Sequence, residues 1–285
     1  MSKNKINNAD SLDEELNNLN INNSLNINKK KICLNCLKVI TGTFRCGQCR
    51  AAYYCNRTCQ KKHWSAHKSN CEDANIDDNI YQKLYIKASN HFRQGNAAKA
   101  EKFYVKLLNI LRSTIGENEK ITLDVMNSLS VAYDDQFKHT EAENLYRRCY
   151  TKQVALLGER NDKTLDTMYN LSVCLLRQGK YADAGRLFNQ CLAKQIAVFG
   201  ENHENPIRTT SALATCLSFQ GKFTEAETLS KQCLEKQKNI LGEDHKETLI
   251  CMQTIGDVYH RQGKFAEAEA ILKECLGIYL LISSL

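Results

Sequence analysis

The chain has 285 residues, of which 42% are hydrophobic, one is proline and 14 are cysteine, with a formal net charge of +7. That length suits about two domains, and a chain that avoids proline while using Ala, Leu, Lys, Gln and Glu freely is expected to be mainly α. The opening Met1-Ser2-Lys3-Asn4-Lys5-Ile6 has no apolar run, and the longest apolar stretch, Leu276 to Leu285, is too short to span a bilayer. The expectation is a soluble protein of the cytoplasm or nucleus, with no membrane partner.

Residues 1–32 hold ten asparagines, five lysines and four acids, with no sustained apolar period. They read as a low-complexity, disordered arm.

The next 39 residues carry the chemistry. Cys33, Cys36, Cys46, Cys49, Cys55, Cys59, His67 and Cys71 are spaced C-x2-C, C-x2-C, C-x3-C and H-x3-C. Four pairs of soft or borderline ligands suit two closed, tetrahedral Zn²⁺ sites. Two residues between thiols make a tight turn onto one ion. Three residues between ligands is helix spacing, so Cys55/Cys59 and His67/Cys71 are each expected on one face of a short helix. Spacing alone does not say which pairs share an ion. A disulfide framework belongs to secreted chains. The seven remaining cysteines (Cys149, Cys174, Cys191, Cys216, Cys233, Cys251 and Cys275) sit singly at apolar helical positions and read as core.

The finger also carries the basic excess. Lys38, Arg45, Arg50, Arg57, Lys61, Lys62 and Lys68 face no Asp or Glu between 33 and 71. A basic patch can touch nucleic acid. Ligand thiolates offset most of this charge, however, and a nucleic-acid partner is the less favoured reading.

Tyr54 precedes Cys55, Gln60 follows Cys59, Trp64 lies between, and His67-Lys68 precedes Cys71. This order resembles the MYND-type zinc finger. The short C-x3-C and H-x3-C pairs and the C-Q/W pattern set it apart from RING and PHD braces. The resemblance implies a cross-brace, with Cys33, Cys36, Cys55 and Cys59 on a first zinc and Cys46, Cys49, His67 and Cys71 on a second. It also implies that Gln60 and Trp64 line a groove for proline-rich peptides carrying a leucine. His63 lies outside the ligand spacing and reads as surface.

Residues 72–82 read as an acidic linker, and from 83 onward the chain repeats every 42 residues. Ala100, Ala142, Ala184, Ala226 and Ala268 keep the period, as do Cys149, Cys191, Cys233 and Cys275, and Gly116, Gly158, Gly200 and Gly242. A fixed period of this size means stacked units. They are set at 83–124, 125–166, 167–208, 209–250 and 251–285, each with two helices, for example Thr164 to Gln178 and Tyr181 to Phe199. Small alanines mark the helix crossing, and Tyr181, Phe223 and Phe265 are expected in the seam. Phe137 stands where other units carry an inter-helix glycine.

This pattern resembles the tetratricopeptide repeat (TPR), and its 42-residue period with a Gly-Glu-x-His loop at Gly200 and Gly242 is similar to the kinesin light chain variety. The implied fold is a solenoid of about five helix pairs whose inner face, lined by the first helix of each unit, binds a peptide or helix. By helical spacing that face includes Asn127, Tyr169, Arg177 and Arg261, with Asp134, Ser211, Phe219 and Gln253 beside them.

No phosphate-cradling loop, G-x-S-x-G or H-E-x-x-H stands in the chain. His203 and His245 recur in the inter-unit loop and read as structural. The favoured function is a zinc-binding adaptor rather than an enzyme. Two alternatives are a non-catalytic relative of the MYND/SET lysine methyltransferases and a nucleic-acid-associated regulator. Only 32 residues precede the finger in this sequence and repeats follow it directly, so a strand-rich SET domain is not expected.

Overall fold

The computed structural model describes residues 31–32, 39–40, 54, 57–67 and 76–283. Residues 1–30 of the expected arm lie outside them. So do six of the eight expected zinc ligands, namely Cys33, Cys36, Cys46, Cys49, Cys55 and Cys71. The described chain is mainly α, as its composition predicts, and forms two compact units, Met1–Lys138 and His139–Leu285.

The first unit opens with two strands absent from the sequence reading. β1 (Lys31–Ile32) pairs antiparallel with β2 (Val39–Ile40), Lys31 opposite Ile40 and Ile32 opposite Val39. They bracket the first C-x2-C pair in the chain. Helices α1 (Arg57–His67), α2 (Ile76–Arg93), α3 (Ala97–Thr114) and α4 (Lys120–Asp135) follow.

The start of α2 corrects the linker expected over 72–82, because residues from Ile76 onward are helix. Acidity does not oppose a helix start: Asp77 and Asp78 fall in the first turn, where the macrodipole favours negative charge. Tyr81, Leu84, Tyr85 and Ala88 then form a stripe at helical spacing, and all four are buried. The 42-residue frame begun at 83 therefore cuts each first helix in the middle.

The second unit holds α5 (His139–Leu157), α6 (Asp162–Arg177), α7 (Tyr181–Phe199), α8 (Glu204–Phe219), α9 (Phe223–Leu241), α10 (Lys246–Gln262) and α11 (Phe265–Ser283). Each helix packs on the next, and α8 also touches α6 and α10. The first helices of successive repeats thus line up in one layer. Ala184, Ala226 and Ala268 are buried, as are Cys191, Cys233 and Cys275 two helical turns on. No helix among the described residues is long and apolar enough to cross a membrane.

The loop histidines have a definite role. The Nδ1 of His203 accepts from the Asn205 N–H at 3.2 Å, and that of His245 from the Glu247 N–H at 3.2 Å. Asn161, one period earlier, caps α6 in the same way through the Lys163 N–H. These side chains satisfy donors that a helix start leaves unpaired.

A second device joins neighbouring repeats. Lys180 Nζ and Gln178 Nε2 reach Glu143 at 2.6 and 3.0 Å, and Lys264 reaches Glu227 at 2.8 Å. Within the first unit, Lys138 and Gln136 meet Glu101 in the same way. Burial raises the pKa of Glu143, but hydrogen bonds from Lys180, Gln178 and Arg147 outweigh it and hold the carboxyl at about 2. Lys231 and Lys264 hold Glu227 at about 2 as well. The series is interrupted at Gly185, which stands at the glutamate position one period after Glu143.

Phe137 shows what the missing glycine costs. Its φ is +62°, in the left-handed region occupied by Gly95, Gly179, Gly221 and Gly263 at the same repeat position. The Lys138 N–H still closes onto the Tyr133 carbonyl at 3.0 Å, so the helix end is kept despite the side chain. An L-residue there is strained by about 1–2 kcal/mol, and the ring, 77% exposed, regains little by burial. Phe137→Gly should therefore stabilise the first unit by about 1 kcal/mol after the extra chain entropy of glycine is deducted. A higher urea midpoint measures this, and an unchanged or lower one would show that the ring contributes more than its exposure suggests.

Candidate functional site

The finger is read from α1. This helix begins at Arg57, carries Cys59, Gln60, His63 and Trp64, and ends on His67. The expectation that Cys55/Cys59 and His67/Cys71 each share a helix face extends outside the described residues through Cys55 and Cys71, and within them one helix carries both Cys59 and His67. Eight residues at about 1.5 Å rise separate their Cα atoms by about 12 Å along the axis. The ligand atoms of one tetrahedral zinc lie about 2.0–2.3 Å from the ion.

The same helix sorts its faces. Cys59, His63 and His67 are spaced i, i+4 and i+8 and share a face, while Gln60 and Trp64 occupy the adjoining one. His63 is half-buried, and its Nδ1 lies 3.2 Å from the hydroxyl of Tyr54, which is 0% exposed. Their rings are 5.9 Å apart. His63 is thus half-buried against Tyr54 rather than free surface as the sequence suggested, and its i+4 spacing from Cys59 was the available signal. Cys59 and Gln60 are half-buried as well.

On the repeats the expected groove residues separate. Tyr169, 3% exposed, belongs to the core: its ring lies 6.0 Å from Phe188, and the Arg208 guanidinium sits over it at 4.5 Å. Arg208 also pairs with Asp166 at 3.5 Å. Burial still pushes Asp166 up to about 6 against that cation. Arg177 is exposed on α6, and Asn127, in the first unit, is half-buried on α4.

Arg261 lies where a ligand could reach it. Its guanidinium stacks on Phe219 at 3.6 Å, and Tyr181 stacks on the same ring at 4.9 Å. Ser218, Phe219, Phe223, Asp257, His260, Arg261 and Phe265 enclose an open cavity of about 550 Å³ between the last two repeats. Phe265 was expected in the packed seam but is 64% exposed at the rim. Burial raises the pKa of Asp257, with Arg261 and His260 opposing. Aromatic walls with one cation and one carboxylate suit an amphipathic side chain of a peptide better than a charged small molecule.

The repeats match the family model of the tetratricopeptide repeat over residues 80–153, 163–239 and 207–280, most of the chain. This chain is a tetratricopeptide repeat protein. Residues 33–71 match the model of the MYND finger, so this TPR protein also carries a zinc-binding module. Its fold is similar to the kinesin light chain TPR-like repeats of Podosopora anserina, with a TM-score of 0.63 at 19% identity, covering 72% of this chain and 97% of that one. BtubC (BKLC) from P. vanneervenii superposes with a TM-score of 0.60 at 16% identity, over 79% and 88% of the two chains.

Curated relatives match through the finger alone. The N-lysine methyltransferase SMYD2-B of Danio rerio is 46% identical over 41 residues, 14% of this chain and 9% of that protein. Human histone-lysine N-methyltransferase SMYD1 is 50% identical over 40 residues, 14% of this chain and 8% of that protein. The match thus spans under a tenth of the methyltransferases' length. A MYND finger joined to TPR repeats is the composition of a protein-interaction adaptor.

Proposed function

We propose that this TPR protein is a non-catalytic intracellular adaptor, working in the cytoplasm or nucleus, that joins two protein partners. The finger holds two zinc ions, Cys33, Cys36, Cys55 and Cys59 around one and Cys46, Cys49, His67 and Cys71 around the other. The separation of Cys59 from His67 on α1 supports that division. Closed sites of this kind have no open coordination position, so the metal holds the module together and activates no water. Gln60 and Trp64, on the face of α1 beside the ligand face, take a proline-rich peptide carrying a leucine. In the second unit the repeats take a second peptide or helix through Arg261 and Arg177, with Tyr169 contributing only through Arg208, and Asn127 is the candidate contact of the first unit. The observation that carries this reading is the open aromatic cavity under Arg261, which presents apolar area and a guanidinium to solvent.

The test is a titration of the full chain with a proline-and-leucine peptide, alongside a zinc assay. Affinity should be weak, since a groove on one short helix buries far less than the roughly 1,200–2,000 Å² of a standard interface. Trp64→Ala should abolish peptide binding while both ions remain. Retained metal with unchanged affinity rules out the groove on α1, and loss of metal makes Trp64 an anchor of the finger instead. Steep salt dependence of RNA or DNA binding, without peptide binding, favours the nucleic-acid alternative.

A further inference from the structure

Cys233 on α9 and Cys251 on α10 bring their sulfurs to 3.1 Å inside the second unit. Both residues are buried, and with Ile207 they form one small apolar cluster against Leu234. The repeat explains how the pair arises. Cys191, Cys233 and Cys275 hold one position of the second helix, and each thiol points at a carbonyl 26 residues earlier: Leu165, Ile207 and Leu249. Thr167, Thr209 and Cys251 hold the facing position of the next first helix.

At that position Thr209 donates to Gln195 Oε1 at 2.7 Å. One repeat later the threonine is Cys251. The equivalent glutamine, Gln237, is buried and its Oε1 has no hydrogen-bond partner, as is also true of Gln153 Oε1 opposite Thr167. The thiol has turned to Cys233. The other thiols of this unit with a defined partner point at backbone carbonyls, Cys174 at His139 and Cys216 at Tyr181.

We propose that Cys233 and Cys251 are an oxidation site, closing to a disulfide that staples α9 to α10 when the chain meets a small hydroperoxide. A disulfide bond is about 2.05 Å long, so the sulfurs need approach by only about 1 Å. One sulfur attacks the peroxide and becomes a sulfenic acid, releasing water or an alcohol. The second sulfur displaces the hydroxyl as water, and the sulfur–sulfur bond forms. Two thiol protons and two electrons pass to the peroxide in all.

Closure is slow. Cys233 and burial raise the pKa of Cys251, which keeps it a thiol at rest, and the thiolate is the reactive form. The reaction waits on local opening of the last helix pair. Residues on α9 and α10 also line the cavity under Arg261, so the staple fixes two of its walls relative to each other. The proposal stands independently of what that cavity binds.

The test treats the full zinc-loaded chain with hydrogen peroxide, blocks remaining thiols and digests with trypsin. Cleavage at Lys231, Lys236, Lys246 and Arg261 leaves Cys233 and Cys251 in separate peptides with one cysteine each, so their cross-link has a unique mass. The expected result is this cross-link as the main disulfide of the repeat region, a higher melting temperature for the helical signal, and reversal of both by dithiothreitol. Cys251→Thr carries the residue of the two preceding repeats and should fold, form no cross-link and show no thermal gain on oxidation. Recovery of Cys233 and Cys251 unlinked, while finger cysteines have already been oxidised, overturns the proposal. So does a thermal gain that persists in Cys251→Thr.

Discussion

Cys59→Ser should release one zinc equivalent and unfold the finger while leaving the repeats helical. A module of about 40 residues is too small to hold itself together by core burial, and structural zinc in such modules contributes roughly 10–16 kcal/mol of apparent folding free energy. Removing one thiolate from a closed site therefore exceeds anything the buried Tyr54 and its His63 contact can offset. Elemental analysis of the native chain should give close to two equivalents and the variant close to one. Far-UV circular dichroism should lose only about the share of signal that α1 supplies, because the helices from Ile76 onward bury their own stripes. A native content near one equivalent would end the cross-braced reading. Loss of most helix on chelation would show that finger and repeats fold as one cooperative body.

Phe188→Ala should cost about 3–5 kcal/mol, the range for deleting a fully buried aromatic ring. Phe188 is 0% exposed on α7 and packs edge-on against Tyr169 of α6. Tyr169 in turn supports the Arg208 guanidinium. The vacated space thus lies beneath the stack that presents a cation on the first-helix layer. With a urea slope of about 1–3 kcal/mol/M, the midpoint should fall by about 1–5 M. Phe265→Ala is the matched control: the ring is mostly exposed, and surface substitutions usually stay within about 0.5 kcal/mol. Equal shifts for the two variants would mean that the burial of Phe188 does not decide stability here.

The sequence alone determined the cysteine and histidine spacing of the finger, the 42-residue repeat, the mainly helical fold and the two families the chain resembles. Each of these is written in local intervals, whether the two residues that separate paired cysteines or the period that returns a buried alanine to the same helix position. Helix bounds were legible for the same reason: Tyr181 to Phe199 is read from its periodicity and its following glycine, and α7 has those ends. Acidic residues hid the start of α2, where charge was taken for linker although the apolar stripe from Tyr81 to Ala88 was present. Exposure was decided only by the tertiary structure. Tyr169 and Arg261 looked alike as groove residues, yet one lies under Arg208 and the other stacks on top of Phe219. His63 turned inward to Tyr54, and Phe265 remained open to solvent. Cys251, one cysteine among seven in the repeats, met Cys233 at 3.1 Å across two helices. Such outcomes depend on which side chain a neighbouring helix brings opposite. A repeat period fixes the place of each residue within its own helix, but packing fixes what it faces.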